Sequence, residues 1–414
     1  MGKPRLFYGY VVATAGFFIQ MIAFGIFVTF GIFFNCFLSE FGWARALISG
    51  ASSAGFFLNG LLSIFVGRLS DKIGPRLVMI SCAVFFGLGY FLMSRVNALW
   101  QLYLFYGLII AIGLSSMDVL PLTTIVRWFV RKRGMMSGVV KVGAGMGLLI
   151  IPLAASWLIT NYGWRIAYIV IGVTSLVVML SCAQFLRRDP AERGLLPDGD
   201  TEADTSQLNS DAGGFSLREA ARIRQFWMLC AMYLLITFSV QIVIVHLVQH
   251  AIDLGITPVK AASIFAVVGG VSIVGRFIMG SAGDKIGTRL AQVICFSFFS
   301  VAFSWLLSAR ELWMFYLFAA LYGFAHGGFF ALISPTVADL FGLRAHGAIL
   351  GTVLFSGTIG GAIGPVLSGY IFDITSSYLI PFSICVALSV TGLVLTLLLK
   401  PTAKIAKAGI GSTV

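Results

Sequence analysis

Charge is what this chain has least of. Asp, Glu, Lys and Arg make up 11% of its 414 residues, where a soluble chain carries about 25%. Too little polar surface is left to cover a water-soluble globule, which excludes a soluble enzyme and a disordered protein. The six cysteines form no CxxC pair and all fall in or beside apolar runs, so they read as small hydrophobes and not as a metal or redox motif. The sequence has no GxxxxGK[ST], no GxSxG and no HExxH. It therefore offers no ATP-cradling loop, nucleophile elbow or zinc helix, and no cofactor or metal is expected.

What is present is apolar: 59% hydrophobic residues and a mean hydropathy of +0.97. The apolar residues come in long unbroken runs. A transmembrane β-barrel would show short alternating segments instead. Each run is long enough to cross about 30 Å of hydrocarbon as a helix, which satisfies its own backbone polar groups in lipid. The expectation is an all-α membrane protein with twelve transmembrane helices, near 8–36, 45–66, 77–95, 99–126, 135–160, 164–186, 226–250, 260–282, 290–308, 312–337, 347–371 and 376–399. The first run begins at Tyr8 and is too long for the h-region of a signal peptide, so it reads as a retained helix.

The segments fall into an N-terminal six-helix bundle (1–187), a central linker (188–224), a C-terminal six-helix bundle (225–400) and a tail (401–414). Acids, Pro, Gly, Ser and Thr crowd between Arg188 and Gly214, a composition that reads as flexible. Ser216 and Glu219 then form a capping box, and a short amphipathic helix is expected through Arg224, ahead of the seventh membrane helix. Most of the 28 Lys and Arg fall on one side if both tails and the linker share it, among them Arg68, Lys72, Arg131, Lys132, Arg133 and Lys285. The positive-inside rule makes that side cytoplasmic, in the cell's inner (plasma) membrane. Topology accounts for the net charge of +12, with no nucleic-acid partner required.

The chain also repeats itself. Gly67-Arg-Leu-Ser-Asp71-Lys72-Ile73-Gly74-Pro-Arg76 follows the second helix, and Gly280-Ser-Ala-Gly-Asp284-Lys285-Ile286-Gly287-Thr-Arg289 follows the eighth. Gly134 and Gly347, after the fourth and tenth helices, are separated by the same number of residues. Two loops sharing one offset imply two pseudo-symmetric halves in parallel orientation.

The duplicated G-x-x-x-D-K-x-G-x-R motif resembles the signature of the major facilitator superfamily, which implies a conformational latch at Asp71, Arg76, Asp284 and Arg289. Trp128-Phe-Val-Arg131-Lys132-Arg133-Gly134, the Gly143-Ala-Gly145-Met-Gly147 run, Tyr8-Gly9-Tyr10, Gly163-Trp164-Arg165 and His250-Ala-Ile-Asp253-Leu-Gly255 together resemble the monocarboxylate transporters. Several of these features are shared by oxalate/formate exchangers. The resemblance covers roughly residues 8–399 and implies that Arg276 binds a substrate carboxylate. Two positions depart from the family's animal members. Ser272 stands where they have a proton-linked Asp, and Val28 stands where they have a Lys.

Ionisable groups at bilayer depth cost about 2.5–3.5 kcal/mol on insertion scales and are functional candidates. Four stand out: Asp118, Lys141, Arg276 and His326. Their mates in the repeat are Ala331, Leu354, Ser63 and Gly113, so the scaffold repeats and these polar residues do not. That is the pattern of a site for one small asymmetric ligand. The Arg276 guanidinium offers a planar fork for a carboxylate and stays charged; the blander alternative is a structural ion pair. Helix rise puts Asp118 and Lys141 both about 10–13 Å from the same face, so a buried pair is expected, with structural and coupling or gating roles both open. His326, with Tyr322 one turn earlier, is a candidate for substrate or proton contact against a packing role. Tyr10, Phe24, Phe27, Tyr322, Phe329 and Tyr370 are candidate pocket walls. His246 and His250 have i,i+4 spacing, but no acid or cysteine supports a metal, and His250 reads instead as a protonatable gate. The expected function is proton-coupled symport of small monocarboxylates such as L-lactate or pyruvate, driven by a gradient and not by ATP. A carboxylate exchanger, a transporter-like sensor, a drug exporter and a membrane enzyme are the rivals.

Overall fold

The computed structural model describes residues 7–200 and 214–400. Twelve helices in it are long and apolar enough to cross a membrane. They are α1 (Tyr8–Phe41), α2 (Arg45–Ile73), α3 (Pro75–Met93), α4 (Leu99–Trp128), α5 (Arg133–Tyr162), α6 (Trp164–Phe185), α7 (Arg224–Asp253), α8 (Pro258–Ile286), α9 (Thr288–Leu306), α10 (Leu312–Phe341), α11 (His346–Thr375) and α12 (Leu379–Leu398). The chain is thus an all-helical, multi-pass membrane protein, as composition and run length imply.

The repeat reaches the secondary structure. The four helices α2 to α5 and the four helices α8 to α11 begin and end at corresponding positions, residue for residue. Gly74 and Gly287 end α2 and α8 with φ of +88° each, a backbone that a side chain would strain. The signature expected as a loop is itself helical up to Ile73 and Ile286. Its Lys and Asp favour the wet end of a helix, and the glycine alone makes the turn.

Two further boundaries differ from expectation. α1 continues past residue 36 to Phe41, with a break in its hydrogen bonding at Thr29. Its end is held by Glu40, which accepts hydrogen bonds from Trp164 Nε1 and from Arg165, both at 2.5 Å. The amphipathic helix expected through Arg224 is a single turn, Leu217–Ala220. The capping box is present, with the Glu219 carboxylate accepting from the Ser216 N–H at 2.7 Å, but α7 already begins at Arg224.

The chain divides into two compact units. One is Met1–Lys132 with Val139–Ala212 and Leu343–Thr352; the other is Arg133–Gly138 with Gly213–Gly342 and Val353–Val414. In the first unit, the close α1–α5 seam puts Gly147 against the carbonyl of Met21. In the second, the α8–α10 seam is equally close, with Gly327 against the carbonyl of Ser272. Such small-residue seams are how helices approach in lipid, where apolar burial supplies no drive.

The first stretch of the linker is ordered, contrary to its composition. Residues Pro190–Arg193 and Pro197–Gly199 form two 3₁₀ turns. Asp198 accepts from the N–H groups of Val130 and Arg131 at 2.9 Å each, and Asp189 pairs with Arg127 at 3.3 Å. Acids that look like solvated linker charge are thus counter-ions for the basic α4–α5 connection. The rest of the linker, 201–213, and the tail, 401–414, lie outside the described residues.

Candidate functional site

Each unit carries its own polar feature inside an apolar bundle. In the first unit, Lys141 of α5 donates to Asp118 Oδ1 on α4, completing the pair that helix rise anticipates. Both side chains are largely buried, at 9% and 20% exposure. Sequence reading missed the third member, Gln20 of α1. It is fully buried, and its Nε2 donates to Asp118 Oδ1 at 2.7 Å and to the carbonyl of Met117 at 2.8 Å. Pro121 explains that second bond. It has no N–H to give the carbonyl four residues back, so the Met117 oxygen needs another donor. A lone amide in the apolar run Phe17-Phe18-Ile19-Gln20-Met21-Ile22 was the available signal.

Upstream of this network α4 is unusual. Tyr103–Ile110 is π-helical, a wider turn that its repeat mate α10 does not share. Such turns are frequent at functional sites. Here it sets Tyr106 against Phe30, with ring centroids 4.3 Å apart.

In the second unit, Arg276 of α8 is buried at 6% exposure. Its backbone carbonyl faces Gly138, a position whose missing side chain admits it. Ser272, one turn earlier, is also buried, and its hydroxyl donates to the carbonyl of Gly269 at 2.8 Å. His326 of α10 is half-buried between the rings of Tyr322 and Phe330, at 5.8 and 4.9 Å. Tyr322 is buried and stacks on Phe318.

The remaining sequence candidates scatter. Phe329 is fully buried among Tyr233, Phe296 and Phe299, so it packs α10 against α7 and α9; its neighbour Phe330 is the ring beside His326. Tyr370 is 64% exposed. Phe24 is half-buried beside Phe27, and Tyr10 lies at the start of α1 against Phe7 and Phe129. His250 is buried with Phe315, Tyr378 and Phe382 around its ring. His246, one turn earlier, donates from Nε2 to the carbonyl of Pro365 at 3.0 Å and accepts at Nδ1 from the Tyr378 hydroxyl at 3.3 Å. Its two nitrogens tie α7 to α11 and to the residue that precedes α12.

The duplicated motif binds helix N-termini. Asp71 accepts from the N–H groups of Gly347 and Ala348, at 3.2 and 3.0 Å, in the segment of α11 that clusters with the first unit. Asp284 accepts from Gly134 and Met135, at 2.6 and 2.8 Å, in the segment of α5 that clusters with the second. A carboxylate there meets unsatisfied N–H groups and the positive end of the helix dipole. Asp71 also pairs with Arg127 at 3.5 Å. The motif's arginines act elsewhere: Arg76 donates to Gln184, and Arg289 to the carbonyls of Thr396 and Leu397 at the end of α12.

Known proteins resemble the chain along nearly its whole length. The family model for the Major Facilitator Superfamily matches residues 12–291 and 229–412. Monocarboxylate transporter 13 of Rattus norvegicus is 28% identical over 387 residues, which is 93% of this chain and 87% of the rat protein. The solved Escherichia coli fucose:proton symporter superposes with a TM-score of 0.72 at 15% identity, over 96% of this chain and 100% of its own. A proton:xylose symporter gives 0.75 at 12% identity, over 96% and 97%. At these identities the two structures bear on the fold.

Proposed function

The chain belongs to the major facilitator superfamily, and from that premise we propose that it is a secondary active symporter moving a small monocarboxylate, of the L-lactate or pyruvate class, together with a proton by alternating access. The observation that carries this reading is Arg276, a permanent cation buried within an apolar helix. A guanidinium there has the geometry and charge to take a carboxylate through two parallel hydrogen bonds. The name of the rat relative points to the same substrate class. Lys141 favours one negative charge over two, because its own charge is already balanced by Asp118. A dicarboxylate asks for two cations.

The proton answers an electrical requirement. Carrying one charge across 100 mV costs about 2.3 kcal/mol, and an anion moving with a proton avoids it. In this reading both tails are cytoplasmic, in the plasma membrane of the cell, and Tyr322 and His326 border the substrate on the Arg276 side. Asp71 and Asp284 act with Arg76 and Arg289 as latches that hold and release helix ends during the cycle.

Arg276→Gln tests the reading in proteoliposomes with radiolabelled L-lactate. Uptake is expected to fall at least about tenfold, the loss of one charge-assisted contact of ~1.5–3 kcal/mol. Full uptake by the variant would remove Arg276 from the site. Uptake that requires an anion such as oxalate or formate inside the vesicle, and ignores the proton gradient, would instead identify an exchanger.

A further inference from the structure

We propose that the Gln20–Asp118–Lys141 network is the proton-carrying site of the cycle, with Asp118 taking the proton and Gln20 positioning it; this rests on the proton-coupled reading above. Pro121 fixes how Gln20 is oriented. Because it cannot donate to the Met117 carbonyl, that oxygen holds one hydrogen of the Gln20 amide. A carbonyl only accepts, so the Gln20 atom facing it is the nitrogen, and the amide's orientation is fixed. Its second hydrogen then points at Asp118 Oδ1, which also receives Lys141.

The opposite end of the amide is the second observation. Gln20 Oε1 is buried and has no hydrogen-bond partner among the described residues. The side chain tolerates an unmet acceptor, which is unfavourable when buried, while both of its hydrogens are placed. Packing alone would favour an apolar residue here. What the side chain supplies is its two donors, one on the Met117 carbonyl and one on Asp118 Oδ1 beside Lys141.

Both bonds to the carboxylate end on Oδ1, and the side chain keeps 20% exposure, so the proposal gives the proton to Oδ2. Lys141 keeps its three hydrogens. The network then goes from neutral to +1, and a monoanionic substrate on Arg276 returns the protein to its starting charge. Proton and substrate each remove the electrical penalty of the other.

Other titratable groups are placed differently. Among the described residues, Lys141 is the charged group bonded to Asp118. Helix α1 presents the neutral Gln20, and Cys82 of α3 lies by Ser116, two residues away. Arg127 and Asp71 pair with each other. His250 is enclosed by three aromatic rings.

The test uses the purified full chain in liposomes. Infrared difference spectra between alkaline and acid buffer are expected to show a protonated-carboxyl stretch that Asp118→Asn abolishes. This reading needs no substrate, so it stands apart from whether lactate is the cargo. An unchanged band in Asp118→Asn overturns the proposal and leaves the transport reading standing. With labelled lactate, Asp118→Asn, a neutral mimic of the protonated acid, is expected to lose accumulation on a proton gradient at least about tenfold. Retained accumulation overturns the proposal. If the single variant does not fold, Asp118→Asn with Lys141→Gln keeps a neutral pair; gradient-driven accumulation by that double variant would show a structural pair only. Gln20→Leu and Pro121→Ala are each expected to move the pH midpoint of uptake, because each loosens the hydrogen bond that Gln20 gives to Asp118 Oδ1. A midpoint unmoved in both removes Gln20 from the mechanism.

Discussion

Buried charge dominates at the scale of single residues. Asp118 and Lys141 satisfy each other, and removing one partner leaves the other uncompensated at a cost of about 3–5 kcal/mol. Asp118→Ala and Lys141→Met are therefore each expected to lower the thermal midpoint in detergent sharply. A joint replacement by Leu and Met is expected to recover most of the loss. Singles and double of equal stability would mean that the pair is solvated. The pair was legible from helix rise alone, because two charges at one depth on consecutive helices have few other partners. Gln20 was not, since it carries no charge and its role depends on a proline in another helix. The carboxylates of Asp189 and Asp198 were misread for a related reason: composition counts charges but not the N–H groups and guanidinium that await them.

At the scale of helices, glycine sets how closely axes approach. A Cβ on Gly327 would lie 1.9 Å from the Ser272 carbonyl oxygen, which is backbone and cannot yield cheaply. Gly327→Ala is expected to destabilise by about 1–3 kcal/mol. Gly31 of α1 has nothing within 4 Å of its Cβ position, and Gly31→Ala is expected to be neutral or to gain up to about 1 kcal/mol in helix propensity. Thermal melts of the two variants, side by side, separate close packing from propensity. Asp71→Asn and Asp284→Asn each remove a charge from a helix N-terminus, with an expected loss of about 0.3–1 kcal/mol in the same assay. The helices themselves could be read from apolar runs, but their ends could not, because charged turns such as Asp71-Lys72-Ile73 extend a helix beyond its apolar part. The π-helical turn of α4 could not, because Tyr103–Ile110 is as apolar as the α-helical segment of α10 that corresponds to it.

At the scale of the molecule, duplication explains the scaffold and asymmetry marks the chemistry. Helices α2 to α5 and α8 to α11 share boundaries, the glycine that ends α2 and α8, and a carboxylate on a helix N-terminus. Arg276, Asp118, Lys141 and His326 have apolar or small residues at their mates. The family follows from the repeated part, and the substrate proposal rests on the unrepeated part. The most direct measurement is uptake of radiolabelled L-lactate into proteoliposomes under an inward proton gradient, before and after an uncoupler collapses it. The account predicts accumulation that follows the gradient, disappears with the uncoupler and is lost in Arg276→Gln. Uptake indifferent to the gradient, or undiminished in Arg276→Gln, would contradict it.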